Sequence, residues 1–213
     1  MAKRVLQVNK VFKSYNNVAV LKNLSLTIEE NEIVSLMGPS GIGKSTLLRS
    51  INKLERIDDG DISIDGIKVS DNKYQKQLGL VFQNFNLFPH LTVLENCMQP
   101  AIINGISKVE AQNKAIALLK KLKIADKKNA YPKQLSGGQK QRLSIARACM
   151  LAPKLLCFDE PTSALDSKSI EDVKGIIKEL SQEMAILIVT HDEKFAEEVS
   201  SRLIRMDEKG LVK

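Results

Sequence analysis

The sequence has little of what metal, redox, membrane and nucleic-acid chemistry usually require. Only two histidines and three cysteines occur among its 213 residues. The cysteines, Cys97, Cys149 and Cys157, are odd in number and show no C-x-x-C spacing, so no paired zinc or dithiol motif is present and buried thiols in a reducing compartment are expected. The longest uninterrupted apolar run is the six residues 184–189, far short of the roughly 20 a membrane helix needs. Nothing after Met1 has the form of a secretory h-region. Basic residues outnumber acidic ones by 32 to 25, a net charge of +7 that invites a nucleic-acid or anionic-membrane reading. The lysines are nevertheless scattered, with no long block of one sign, and the aromatics, 4% of the chain, do not interleave with them. A solvated basic surface is therefore expected, with no nucleic-acid partner.

At 43% hydrophobic and 27% charged residues the composition is that of an ordinary soluble globular protein, long enough for one large domain or a domain with a subdomain. No repeat, low-complexity tract or long linker divides it.

Residues 38–46 read G-P-S-G-I-G-K-S-T and fit G-x-x-x-x-G-K-[ST]. A triphosphate held by backbone amides needs N–H groups pointing inward from a tight concave turn, and Gly38, Gly41 and Gly43 reach such angles without steric cost. A helix beginning near Lys44 adds its free N-terminal amides and positive dipole end. In this motif Lys44 reaches the β- and γ-phosphates and Ser45 offers its hydroxyl to Mg²⁺. The context agrees: residues 32–37 (E-I-V-S-L-M) suit a buried parallel strand, and residues 46–54 an amphipathic helix.

Before the loop, residues 4–15 suggest an edge strand, and residues 24–29 alternate at period two. After it, residues 61–69 with Asp65 and Gly66 signal a hairpin, and residues 78–83 a buried strand that ends on Gln83. The composition then turns helical. Thr92 with Glu95 forms a capping box opening a helix to about Ile103, and Asn104-Gly105 ends it. Ser107 with Glu110 makes a second box, opening a helix over residues 107–123. A third helix is expected after the loop Y-P-K-Q-L-S-G-G-Q, with Leu143, Ala146 and Met150 inward. Residues 154–161 return to a strand, 167–182 to a helix and 185–190 to a strand before His191. Strands alternating with helices around a phosphate loop give an α/β fold with a largely parallel sheet, and the middle helices read as an insertion.

Two acids follow the strand 155–158. Asp159 can hold Mg²⁺ through water, and Glu160 is placed to orient or deprotonate an attacking water if burial raises its pKa. The stretch L-S-G-G-Q at 135–139 again sets serine and glycines before a helix, either as a second phosphate cradle or as a plain helix cap by Ser136. A single γ-phosphate has no obvious need of two cradles from one subunit, so the second points to a different nucleotide. His191, at the end of a buried strand, is placed for a γ-phosphate contact.

Taken together, these residues resemble the ATP-binding cassette (ABC) transporter ATPase subunits from about Val5 to the C-terminus. The resemblance implies a P-loop NTPase core (1–83 and 154–213) with an N-terminal antiparallel β part, and an inserted helical subdomain (84–153). It identifies Tyr15 with the aromatic that stacks on adenine and residues 38–46, including Pro39, Ser40, Ile42 and Thr46, with the Walker A loop. Gln83 matches the glutamine that touches Mg²⁺, and Ser136, Gly137, Gly138 and Gln139 the signature loop. Asp159 and Glu160 match Walker B and its catalytic glutamate, Asp166 closes the D-loop and His191 is the switch histidine. The family binds ATP and Mg²⁺ in a head-to-tail dimer, each Walker A facing the partner's signature loop, on the cytoplasmic face of the membrane. Hydrolysis opens that sandwich and moves integral membrane permease subunits docked near Gln83; a substrate-binding protein is a further partner. Residues 81–96 are very similar to the polar amino-acid uptake branch, while the lipoprotein-release and cell-division branches resemble the rest nearly as well, leaving a regulatory clamp open. Ile42 replaces the small residue usual there and is expected to contribute backbone only. The chain ends at Lys213, sooner than most of that branch, which puts a C-terminal regulatory or dimer-supporting element in question.

Overall fold

Two sheets and the helices between and beside them account for the hydrophobic pattern, in a computed structural model that describes residues 3–207 and 210–212. The period-two segments at the N-terminus form an antiparallel sheet in the order β2-β1-β4-β5, from β1 (Arg4–Tyr15), β2 (Val18–Glu29), β4 (Asp59–Ile64) and β5 (Ile67–Lys68). The continuous apolar runs form a second sheet, β10-β9-β3-β8-β7-β6, from β3 (Ile33–Met37), β6 (Leu78–Val81), β7 (Leu155–Asp159), β8 (Ala185–Val189), β9 (Arg202–Asp207) and β10 (Gly210–Val212). All its pairings are parallel except β9 with β10. Every residue of β3 and β8 is buried, as expected of strands covered on both faces.

Alternation within these strands divides the core in two. Leu155, Cys157, Ala185, Leu187 and Val189 join the antiparallel sheet and α1 (Lys44–Ile51) in one cluster. Leu156, Phe158, Ile186 and Ile188 face α2 (Val93–Ile103), α3 (Lys108–Lys121), α4 (Gly137–Ala148), α5 (Ser167–Leu180) and α6 (Glu193–Val199) in the other. The α/β class and the mainly parallel sheet are as read from the sequence. Among the described residues no helix is long and apolar enough to cross a membrane. The three cysteines are buried free thiols, and burial pushes each up to about 12.

Four expectations are corrected. The strand β1 is not an edge: it pairs with β2 on one side and β4 on the other, because the turn at Asp65 and Gly66, both at positive φ, is part of a hairpin that docks across it. The helix α4 starts at Gly137, inside the expected loop, because Ser136 and Gln139 cap it reciprocally. Only half of the box before α3 forms: Ser107 accepts from the Glu110 amide without a return bond. The Ile42 side chain is half-buried and packs on the core beneath the antiparallel sheet, so it contributes more than backbone.

Candidate functional site

Four parallel strands end on one rim. The strand β3 runs into Gly38, β6 toward Gln83, β7 into Asp159 and Glu160, and β8 into Thr190 and His191. Because β3 pairs with β8, β8 with β7 and β7 with β6, these positions meet at the carboxyl edge of the sheet, where open α/β sheets bind ligands.

The phosphate-loop glycines are required by their surroundings. At Gly38, φ is 152° and a Cβ would stand 2.4 Å from the Met206 carbonyl oxygen. At Gly43, the left-handed N-cap of α1, φ is 108° and a Cβ would stand 3.0 Å from Val20. Lys44 follows, with only 8% of its surface exposed. Its Nζ donates to the carbonyls of Gly38 at 2.7 Å and Pro39 at 2.9 Å. No carboxylate among the described residues pairs with it. A buried ammonium with no carboxylate in ion-pair contact is costly, and its third N–H is left for an anion. Pro39, Ser40, Gly41 and Ser45 are exposed and Thr46 is half-buried.

The two acids are held differently. Burial, then the neighbouring Glu160, pushes Asp159 above the usual carboxylate range, against Arg49 and Lys44, which pull it down. Glu160 adopts a left-handed conformation, φ 46°, uncommon for a residue with a side chain, and its amide donates to the Val189 carbonyl at 2.8 Å. That geometry brings its carboxylate over the end of β8. Its Oε2 accepts from the Thr190 hydroxyl at 3.2 Å and the His191 amide at 3.3 Å, and lies 2.9 Å from His191 Nδ1. The Glu160 side chain is 16% exposed against 72% for His191. Thr190, which sequence reading passed over, is fully buried and accepts from the Asp192 amide with the same hydroxyl.

A cation site here is sparse. Among the described residues no cluster of three His, Cys, Asp or Glu is placed for a metal. The available donors are the Ser45 hydroxyl, the half-buried Asp159 carboxylate and the exposed Gln83 amide, hard oxygens that suit Mg²⁺ when phosphate completes the shell.

Tyr15 is 41% exposed, with Lys13 Nζ 5.0 Å from its ring centroid. Burial first, then the neighbouring Glu55, raises the pKa of its hydroxyl.

The stretch 135–139 leads into a different helix. Ser136 accepts from the Gln139 amide at 3.3 Å and donates its own amide to Gln139 Oε1 at 3.0 Å, so the helix-cap reading holds. Gly137 lies against Ala164, and at Gly138 a Cβ would stand 2.5 Å from Ser169 Oγ. Asp166 spends its carboxylate capping α5 through the Ser169 amide and hydroxyl. The helix α4 packs on α2, α3, α5 and β6, whereas α1 packs on β2, β7 and β8. One chain thus carries residues 38–46 and 136–139 on different elements. Sequence reading also missed the ties that hold the segment after Gln83. Arg147 donates to the carbonyls of Phe85 and Asn86, and the buried Asn96 bonds Phe88, Leu91 and Thr92.

Comparison with known proteins points one way. The ABC transporter family profile matches residues 21–163. The glutamine transport ATP-binding protein GlnQ of Escherichia coli is 48% identical over 210 residues, covering 95% of this chain and 88% of its own length. The arginine transport ATP-binding protein ArtM of Bacillus subtilis is 46% identical, with 98% and 90% covered. A dimeric ATP-binding cassette in a post-hydrolysis state bound to ADP and Pi superposes with a TM-score of 0.85 at 37% identity, covering 98% of this chain and 97% of the other.

Proposed function

Since this chain belongs to the ABC transporter family and is an ATP-binding ATPase, we propose that it is the motor subunit of an importer of polar amino acids. The observation that supports this most is the buried Lys44 ammonium, unpaired by any described carboxylate, on the rim that also carries Asp159 and Glu160. The amino-acid class rests on relatives that carry glutamine and arginine transport in their names, at 46–48% identity.

In this reading the amides of residues 38–46 and the Lys44 ammonium bind the β- and γ-phosphates, and Tyr15 stacks on the base. Ser45, Asp159 and Gln83 would hold Mg²⁺, which would supply positive charge to offset that of the bound phosphates. Glu160, its Oε2 fixed by Thr190, orients and deprotonates the attacking water. His191, exposed and bonded to Glu160, is within reach of the γ-phosphate as the site closes. Closure comes from a second copy in head-to-tail arrangement, whose Ser136, Gly137, Gly138 and Gln139 complete the site while Asp166 supports the facing surface. The closing motion passes through Gln83 and the helical subdomain, residues 84–153, to integral membrane permease subunits at the cytoplasmic face. A substrate-binding protein delivers cargo from the other side.

The direct test is Glu160→Gln. Phosphate release stops, while ATP stays bound and light scattering shows the dimer; normal turnover in that variant removes Glu160 from its role.

A further inference from the structure

The residues around Tyr15 form a network that neither the phosphate loop nor the acids use. Lys13 sits on β1 with its side chain only 10% exposed, yet it bears a charge. Glu55 pairs with its ammonium at 2.9 Å and Asp58 at 3.3 Å. Asp58 is itself fixed to the strand, accepting from the Ser14 amide at 2.7 Å and the Ser14 hydroxyl at 2.9 Å. The ammonium therefore cannot wander, and it lies 5.0 Å from the centroid of the Tyr15 ring. Glu55 is also close enough to the Tyr15 hydroxyl to raise its pKa.

We propose that Lys13 is a positioning residue for nucleotide binding: anchored by Glu55 and Asp58, it supports the Tyr15 ring by a cation–π contact and keeps that ring in register with the phosphate loop. This rests on the reading of Tyr15 as the aromatic that stacks on the base. Two features make the arrangement more than local packing. A cation against one ring face leaves the other for a flat ligand, and 41% of Tyr15 is exposed. Glu55, which holds the Lys13 ammonium, stands four residues beyond the end of α1, so the cation is tied to the segment leaving the helix whose amides take the phosphates. The spacing between base and phosphates is then set by the protein before the nucleotide arrives, which lowers the ordering cost of binding.

The experiment compares ATP with inorganic triphosphate on the full chain, reading ATPase KM and kcat and the competitive inhibition constant of triphosphate. Lys13→Met should raise the KM for ATP about three- to tenfold, the range of a partly desolvated cation–π contact. It should leave kcat and triphosphate inhibition within about twofold, because only the base side has lost its support. Lys13→Arg, which keeps the cation, should recover most of the KM. A general loosening of the fold would instead weaken triphosphate equally and would not be rescued by arginine; that pattern overturns the proposal. Tyr15→Ala separates the two layers. If it raises KM and Lys13→Met does not, the role of Lys13 is refuted while the stacking reading stands; if it leaves KM unchanged, the stacking reading fails and takes the proposal with it. Should Lys13→Met not fold, Glu55→Gln, which weakens the shorter of the two ion pairs that hold the Lys13 ammonium, should raise the KM in the same ATP-selective way, and an unchanged KM there counts against the network.

Discussion

Thr190→Val is the perturbation that isolates how the Glu160 carboxylate is held. Valine matches threonine in shape, so the fully buried position gains no cavity and the change reduces to one hydroxyl. That hydroxyl makes two bonds, donating to Glu160 Oε2 at 3.2 Å and accepting from the Asp192 amide at 3.1 Å. A hydrogen bond to a charged group contributes about 1.5–3 kcal/mol, and Asp192 is half-exposed, so water can serve the orphaned amide at reduced cost. A loss near 2 kcal/mol is expected, which for a chain of this size lowers Tm by about 4–8 °C. The functional effect is separable. With Thr190 gone, Oε2 keeps only the His191 contacts on the exposed side, and turnover should fall roughly tenfold for about 1.4 kcal/mol of lost alignment, with KM for ATP little changed. Thr190→Ser, which keeps the hydroxyl, should restore most of the rate. Steady-state phosphate release and thermal melts check both halves. Normal turnover in the valine variant, or an equal loss in the serine variant, refutes the reasoning.

Two further outcomes follow from the same geometry. Asp159 has its folded pKa raised, so its ionised form opposes folding: the cost is absent below the unfolded value of about 4, where both states are protonated, and complete above the folded value. Asp159→Asn should therefore melt above the parent protein at pH 7–8, with the advantage vanishing as the pH falls toward 4, while Mg²⁺-dependent turnover is lost; a constant offset across that range contradicts the burial argument. Gly138→Ala places a Cβ 2.5 Å from Ser169 Oγ and should destabilise by about 1–3 kcal/mol, with Ser169→Gly recovering most of that loss in the double variant; additive losses in chemical denaturation would show that the contact is not the cause.

Much of this was legible because the signals were local. The strand–glycine loop–helix order at residues 32–54, the Thr92 capping box and the Asp65-Gly66 turn each depend on neighbours a few positions apart, and each is where the pattern put it. What stayed hidden depends on register between distant strands. Glu160 and Thr190 meet because β7 lies beside β8 with Asp159 opposite Val189, and no periodicity announces which strand pairs with which. The position of β1 failed for the same reason: its alternation is that of any half-buried strand, and only the docking of β4 makes it internal. Asp166 shows the converse limit, since a residue read for its place in a motif has its carboxylate engaged as a helix cap. Lys13, Arg147 and Asn96 are polar residues whose roles come from what surrounds them, and a single sequence gives a lysine in a strand no reason to stand out.

The central claim is that each nucleotide site is shared between two copies. It is tested most directly by counting ATP retained in mixed dimers, in a Glu160→Gln background that prevents turnover, with Lys44→Ala in one copy and Ser136→Ala in the other. If one copy's Lys44 works with the other's Ser136, both lesions fall in the same site and the mixed dimer keeps one sound site, holding one ATP. If each copy builds its own site, both sites are damaged and no ATP is retained, which contradicts the account.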